Sequence, residues 1–207
     1  MSTTTPERPP ADADGTAKRS VRDRILDAAS ELFYARGIRA ISADKIIELS
    51  GVTKVTFYRY FRTKDVLVVA YLERQAAWER GALDGLRRSS SDDAQALRRF
   101  AAAIGAESCK PGFRGCAFIN AAAEYPDPEG PVRKVVAQHR GWYRATFAGM
   151  LGRIGVNDPA RAADEVMMLR DGAMVAGSLD EPSRVGGALE RAIFAVIDAS
   201  RATRTAG

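Results

Sequence analysis

The sequence predicts an all-α fold, in which a small N-terminal domain of three helices precedes a body of six more helices. Apolar residues recur at three- and four-residue intervals through most of the chain, which is the period of an amphipathic helix. Helix start and stop signals separate these stretches, and no stretch alternates apolar and polar residues as a strand would. The 207 residues suffice to bury a substantial core.

The first seventeen residues are expected to form a disordered tail. They contain no large apolar side chain after Met1, so ordering them would bury too little surface to offset the entropy cost. This segment lacks the apolar stretch of a signal peptide, and no later stretch approaches the ~18 apolar residues of a membrane span. We therefore expect a cytoplasmic protein without a membrane partner.

Three short helices are predicted next. The first carries an apolar stripe that includes Phe33, and Gly37 suits its C-terminal stop. Ser42 can cap the second helix, and Gly51 can end it because glycine adopts positive φ. Thr53 can cap the third helix at once. The predicted shared core consists of Ile25, Leu32, Phe33, Ile46, Leu49, Val52, Phe57 and Phe61.

The third helix is predicted to have one apolar side and one polar side. Phe57 and Phe61 lie four residues apart and can pack together on the preceding helix, so most of the remaining, polar or cationic side chains face outward. This layout is typical of a helix-turn-helix, whose second helix enters the major groove of DNA. Similar helix pairs also occur in all-α proteins that bind no DNA.

Positive charge is concentrated in this same region. Residues 17–64 contain eleven Lys and Arg against five Asp and Glu, whereas the rest of the chain contains twenty against twenty-one. Such a local excess is expected of a surface that contacts phosphate groups. The sequence therefore predicts that residues 18–64 form a helix-turn-helix DNA-binding domain.

The run from Ile25 through Leu67 resembles the DNA-binding region of the TetR/AcrR family of bacterial transcriptional regulators. The resemblance implies a homodimeric repressor that binds a palindromic double-stranded DNA operator and is released by a small-molecule effector, with no cofactor and no metal. The residues that carry it are Ala28, Ala29, Leu32, Phe33, Gly37, Ile46, Gly51, Val52, Phe57, Tyr58, Phe61 and Lys64.

The resemblance also implies DNA contacts, position by position. Thr53, Lys54 and Thr56 match the start of the recognition helix, where base edges are met, and Arg59 could bond guanine. Val55 departs from the small residue common in the family, and it could contact a thymine methyl group instead. The predicted DNA-contacting residues are Ser42, Thr53, Lys54, Val55, Thr56, Tyr58, Arg59, Tyr60 and Lys64, of which Tyr58, Tyr60 and Lys64 match positions that usually touch phosphate.

A long helix is predicted from Thr63 to about Arg88, followed by five helices with recognisable start signals. It could span roughly 35–40 Å at ~1.5 Å per residue and so link the two domains mechanically. Residues 65–204 form the predicted effector-binding and dimerisation domain. The later helices are expected to begin near Ser91, Cys116, Pro131, Asp158 and Ser183.

The last two helices carry apolar stripes at helical spacing. Such stripes usually pack inside a subunit, but the resemblance makes these two helices the dimer interface. A two-fold symmetric dimer would bind a palindromic operator through two DNA-binding domains, whereas a single DNA-binding domain would have little sequence specificity. The stripes contain Ala162, Ala163, Val166, Met167, Leu169, Ala173 and Val175, then Val185, Ala188, Leu189, Ala192, Ile193, Val196 and Ile197.

Large apolar side chains are abundant in the middle helices, with a few polar groups among them. They could form an ordinary core, but the resemblance implies a pocket for an apolar or amphipathic effector. The predicted effector-binding residues are Trp78, Phe100, Phe118, Asn120, His139, Trp142, Tyr143, Phe147, Met167 and Met174.

Three other functions have weaker support in the sequence. Catalysis has little support, because His139 is the only histidine and only Glu124 with Tyr125 or Asp127 could be posed as an acid and base. A redox-responsive regulator could use Cys109 and Cys116, whose basic neighbours could favour a thiolate. Sequence-independent DNA binding is disfavoured by the nearly neutral body.

Overall fold

The structure is a computed structural model, and it describes residues 20–202. Over that range the chain forms nine α-helices and one short 3-10 helix, with no strand, so the all-α prediction is confirmed. The predicted tail of residues 1–17 lies outside the described residues. The α-helices are α1 (Val21–Arg36), α2 (Ala43–Ser50), α3 (Lys54–Tyr60), α4 (Lys64–Arg88), α5 (Asp93–Ser108), α6 (Ala117–Glu124), α7 (Pro131–Ile154), α8 (Pro159–Leu179) and α9 (Val185–Ala202).

Side-chain caps fix most of the helix starts. Asp92 accepts a hydrogen bond from the backbone N–H of Gln95 at the start of α5, and Asp158 does the same for Arg161 in α8. The predicted start of the last helix at Ser183 is wrong, because α9 begins at Val185 after a 3-10 helix (Pro182–Arg184). The Ser183 hydroxyl donates to Glu181 instead of capping.

Residue contacts divide the chain into two compact units. The reader unit contains the residues up to Glu79 together with Ala117–Val136, and the body unit contains Arg80–Cys116 together with the residues from Ala137 on. The reader unit is therefore discontinuous in sequence, since it combines α1–α3, the first part of α4, α6 and the start of α7. The domain limits expected from the sequence, 18–64 and 65–204, remain a prediction.

The reader unit has a compact core under its three short helices. Ile25, Ile46, Phe57 and Phe61 are at most 1% exposed, as the sequence predicted. The prediction for Leu49 is wrong, because its side chain is 49% exposed. Ile46 and Ser50 mark the buried face of α2, and Leu49 lies ~100° around the helix from Ser50. Leu32 and Val52 are half-buried.

Arg74 joins α4 to α1 inside the reader unit. Its guanidinium donates to the Asp27 carboxylate at 2.7 Å and to the carbonyl oxygen of Leu26 at 2.8 Å, and it also bonds the Ser30 hydroxyl. Because these contacts use both a charge and a backbone acceptor, they fix the register between the two helices. The first part of α4 is thus joined to α1 by three hydrogen bonds.

The body unit is a bundle in which α5, α8 and α9 pack closely. Gly105 of α5 meets Gly186 of α9 so tightly that a Cβ at Gly105 would lie 2.7 Å from the Gly186 Cα. The predicted stripe residues Leu189, Ile193 and Ile197 belong to the core of this unit and are at most 3% exposed. They are therefore unavailable on the surface of the subunit, whatever face α9 presents to a partner.

None of the helices within residues 20–202 is both long enough and apolar enough to cross a membrane.

Candidate nucleic-acid interface and effector region

Local capping shapes the helix-turn-helix. The hydroxyl of Ser42 accepts the backbone N–H of Lys45 at 3.4 Å, and the hydroxyl of Thr53 accepts that of Thr56 at 3.2 Å. Between the two helices, Gly51 adopts the left-handed conformation with φ 63°, as its position predicted. The turn is therefore short, and only three residues separate the end of α2 from the start of α3.

Two buried aromatic rings fix the face that α3 presents. The centroids of Phe57 and Phe61 are 6.4 Å apart, and both rings are 1% exposed. The guanidinium of Arg22 on α1 lies 5.4 Å from the Phe61 ring, which adds a cation–π contact across the core boundary. With these two rings inside, the opposite face of α3 must lie at the surface.

That opposite face is exposed, basic and partly aromatic. Val55 is 81% exposed, and Tyr58 and Tyr60 are 42% and 39% exposed. The guanidinium of Arg59 lies 5.4 Å from the Tyr60 ring, which limits its freedom. Lys54 reaches Asp44 at 3.5 Å, but both side chains are largely exposed, so this ion pair leaves the lysine accessible.

The remaining predicted DNA-contact residues differ in exposure. Ser42 and Thr53 are exposed, while Thr56 is half-buried and shares a 2.9 Å hydrogen bond between its hydroxyl and that of Thr53. Lys64 is half-buried, and its ammonium donates to the carbonyl oxygen of Arg39 at 3.4 Å. Burial lowers the pKa of Lys64, although the Glu124 carboxylate partly opposes that shift.

Seven of the predicted effector residues lie in the body unit, where the aromatic ones form a continuous row. His139, Trp142, Tyr143 and Phe147 follow one side of α7, with ring centroids 4.6–5.7 Å apart. Phe100 of α5 extends the row, 5.4 Å from Phe147. All but Trp142, which is half-buried, are buried. Met167 and Met174 are buried on α8.

Sequence reasoning did not indicate a role for Arg170, although this charged residue is buried beside the aromatic row. It is 2% exposed, its guanidinium lies 5.1 Å from the Tyr143 ring, and it pairs with Asp171 at 3.1 Å. Asp171 in turn pairs with Arg140 at 2.6 Å. A signal was present in the sequence, because Arg170 lies four residues after Val166 and four before Met174, on the apolar stripe.

The other three predicted effector residues belong to the reader unit. Phe118 on α6 is 2% exposed, whereas Asn120 on the same helix and Trp78 on α4 are half-buried. The structure therefore separates the predicted set into an aromatic row in one unit and a smaller group in the other. Their common role in binding an effector remains a prediction.

The two cysteines have different surroundings. Cys109 is exposed and Cys116 is buried, and both are free thiols. The guanidinium of Arg170 donates to the Cys116 sulfur at 3.2 Å. The buried Cys116 thiol is thus held in place by the charged side chain of Arg170.

Comparisons with known proteins bear on both regions. A family profile described as "Bacterial regulatory proteins, tetR family" matches residues 25–71. The crystal structure of SCO4454, a TetR-family transcriptional regulator from Streptomyces coelicolor, is similar to this chain with a TM-score of 0.83 and 39% identity. That similarity covers 87% of this chain and 95% of the other, so it includes the body as well as the DNA-binding helices.

Two curated relatives match over shorter stretches. The HTH-type transcriptional regulator Rv1255c of Mycobacterium tuberculosis is 42% identical over 53 residues, which are 26% of either chain. The HTH-type transcriptional activator FasR of Mycolicibacterium smegmatis is 34% identical over 99 residues, or 44% of either chain. The chain thus spans less than half the length of these curated relatives.

Proposed function

Because this chain belongs to the TetR family of bacterial transcriptional regulators, we propose that it represses transcription by binding a palindromic operator as a homodimer and leaves that operator when a small effector binds. The chain is a DNA-binding regulator and not an enzyme. The observation that carries the proposal is the exposed face of α3, which combines basic, hydroxyl and aromatic groups above two buried phenylalanines. Its place of action would be the cytoplasm, where operator DNA lies.

The proposed division of labour on α3 follows from side-chain chemistry. Arg59 has the planar donor pair that matches the guanine edge, and Val55 offers an exposed methyl surface suited to thymine. Tyr58 and Tyr60 are exposed, and their hydroxyl groups suit contact with backbone phosphates. Lys54 would add charge at the start of the helix.

The proposed dimer interface is a stripe on the outer side of α8. Met168, Val175 and Leu179 are 66%, 44% and 76% exposed, and they recur at seven- and four-residue intervals along one face. This face is opposite the buried stripe of Val166 and Arg170. Exposed large apolar groups aligned in this way favour helix-to-helix association. The stripe replaces the buried residues of α9 as the surface where two subunits meet.

The proposed effector site is centred on His139, Trp142 and Tyr143 of α7. Trp142 is half-buried while its two ring neighbours are buried, so one side of the aromatic row remains reachable. The guanidinium groups of Arg80, 5.6 Å from the Trp142 ring, and Arg170 would add polar contacts. Such a lining suits an aromatic or amphipathic compound.

The decisive experiment is a selection of bound DNA from random sequence with the purified full chain. We expect palindromes of one half-site at one spacing, and Arg59→Ala should weaken binding by about 1–3 kcal/mol and relax the preference at one position per half-site. The matched control is Arg88→Ala, which removes an exposed arginine at the far end of α4. Recovery of DNA without any common sequence would instead indicate sequence-independent binding.

A second candidate function is thiol sensing at Cys116, favoured by the hydrogen bond from Arg170 to its sulfur. In this candidate the Cys116 sulfur, held in place by Arg170, would attack the β-carbon of an α,β-unsaturated carbonyl compound. A carbon–sulfur bond would form, and the thiol proton would end on the α-carbon.

N-ethylmaleimide can serve as the probe for this second candidate. Release of operator by that compound should be lost in Cys116→Ser and retained in Cys109→Ser, measured by fluorescence anisotropy of labelled operator. The opposite pattern would assign the sensitivity to the exposed cysteine.

A further inference from the structure

Glu124, the last residue of α6, binds the loop that leads into the helix-turn-helix. Its carboxylate accepts the backbone N–H of Ile38 at 2.9 Å and that of Arg39 at 2.6 Å, although these residues lie 86 and 85 positions earlier in the chain. Gly37 completes the receptor with φ 88°, and a Cβ there would lie 3.3 Å from the Glu124 Oε1. The loop is therefore shaped around this carboxylate.

Two further bonds join the same corner to α4. The Tyr125 hydroxyl donates to the Asp65 carboxylate at 3.3 Å, and Lys64 donates to the carbonyl oxygen of Arg39 at 3.4 Å. Glu124, Tyr125, Asp65, Lys64 and Arg39 thus form a closed ring of backbone and hydrogen bonds around the end of α6. All of these residues belong to the reader unit.

This ring joins the end of α6 to the loop that leads into the helix-turn-helix. The loop of Gly37–Arg39 ends α1 and lies three residues before Ser42, the cap of α2, and α2 packs on the recognition helix α3. On the other side, the chain enters α6 from Cys116 and continues toward Ala137, both of which belong to the body unit. The covalent chain therefore passes between the two units at three places, which are within α4, at the start of α6 and within α7.

We propose that Glu124 is a positioning residue that holds the α1–α2 loop and thereby sets the orientation of the recognition helix for the operator. This inference rests on the proposed function, because the recognition helix α3 is the element proposed to bind the operator. In the sequence, Glu124 and Tyr125 could be posed only as an acid and base. In the structure, Glu124 accepts two backbone N–H groups of the α1–α2 loop and Tyr125 donates to Asp65, and acid–base catalysis would need neither contact.

The substitution Glu124→Gln tests the inference with little change of shape. One carboxylate oxygen becomes an NH₂ group, which faces an N–H donor and cannot accept its hydrogen bond. The other bond loses its charge assistance, and such bonds are roughly half as strong. The matched control is Glu129→Gln, which removes the same charge from an exposed side chain in the following loop.

Two readouts follow from the proposed role. In the free protein, hydrogen exchange of the Arg39 amide should accelerate about tenfold or more in Glu124→Gln and stay unchanged in Glu129→Gln, because Arg39 is otherwise an exposed loop residue. In selection from random DNA, Glu124→Gln should recover palindromes whose half-site preference is relaxed relative to wild type, because α3 is held less precisely. A purely structural role would lower the melting temperature without relaxing the half-site preference.

The possible outcomes separate this inference from the proposed function. If wild type selects a palindrome and Glu124→Gln selects the same half-site with the same preference, Glu124 does not position the recognition helix. If wild type selects no palindrome, the proposed function fails and the inference fails with it. Should Glu124→Gln not fold, Glu124→Asp, which keeps the charge on a shorter side chain, must show the relaxed half-site preference for the inference to stand.

Discussion

The contact between Gly105 and Gly186 predicts that a single methyl group will destabilise the body unit. In Gly105→Ala the new Cβ would lie 2.7 Å from the Gly186 Cα and 2.9 Å from its backbone nitrogen. These are backbone atoms in the middle of a helix packing, so they cannot move aside as a flexible side chain could. The helices α5 and α9 would have to separate.

The magnitude follows from two opposing effects. Overpacking a core by one carbon typically costs about 1–3 kcal/mol. Replacing glycine by alanine inside a helix contributes about 0.5–1 kcal/mol of stability through the unfolded chain. The expected net loss is therefore about 1–2 kcal/mol, which lowers the melting temperature by about 2–8 °C for a chain of this size.

Thermal unfolding followed by circular dichroism is the appropriate assay, with Gly81→Ala as the matched control. A Cβ at Gly81 on α4 meets no atom within 4 Å, so that variant should gain stability. Gly186→Ala should fall between the two, since its Cβ would lie 3.3 Å from its nearest neighbours. Equal melting temperatures for Gly105→Ala and Gly81→Ala would refute the reasoning.

Three further predictions concern assembly, pH and the effector. Val175→Glu should give a folded monomer whose operator affinity falls by about 10²–10⁴ because the half-sites are no longer linked, while Ala145→Glu, an exposed change on α7, should sediment as a dimer. Burial beside Asp65 raises the pKa of Tyr125 to about 12. The folded chain therefore binds more protons than the unfolded chain above pH 10. The free energy of unfolding of wild type should fall relative to that of Tyr125→Phe as pH rises from about 10 to 12. A constant difference between the two proteins over this pH range would refute the prediction. Trp142→Ala should fold and bind operator but no longer respond to an aromatic effector found by screening, and unfolding would instead identify Trp142 as core.

The features that sequence reasoning found are those set by neighbouring residues. Ser42, Gly51 and Thr53 act on backbone groups a few positions away, so their roles could be predicted without knowing the tertiary structure. The apolar spacing of Phe57 and Phe61 likewise identified the buried side of α3. The all-α class followed because every helix carries such local signals.

The features that sequence reasoning missed depend on contacts between distant residues. Glu124 meets its partners across more than eighty positions, and Arg170 meets Cys116 across 54. Helical spacing also cannot say which of two apolar faces is buried. That is why Leu189 was placed on a stripe available to a partner subunit, although α5 and α8 enclose it within the same subunit.

The discontinuous make-up of the reader unit has a consequence for engineering hybrid regulators. A chimera that joins residues 1–64 of this chain to a foreign body would leave Glu124 and Tyr125 behind, and the loop at Gly37–Arg39 would lose its anchor. If the proposed role of Glu124 holds, such a hybrid should bind its half-site with relaxed preference. Grafting Ala117–Val136 together with the residues up to Glu79 transfers the complete reader unit. The part of this protein that can be exchanged as a whole therefore consists of two chain segments.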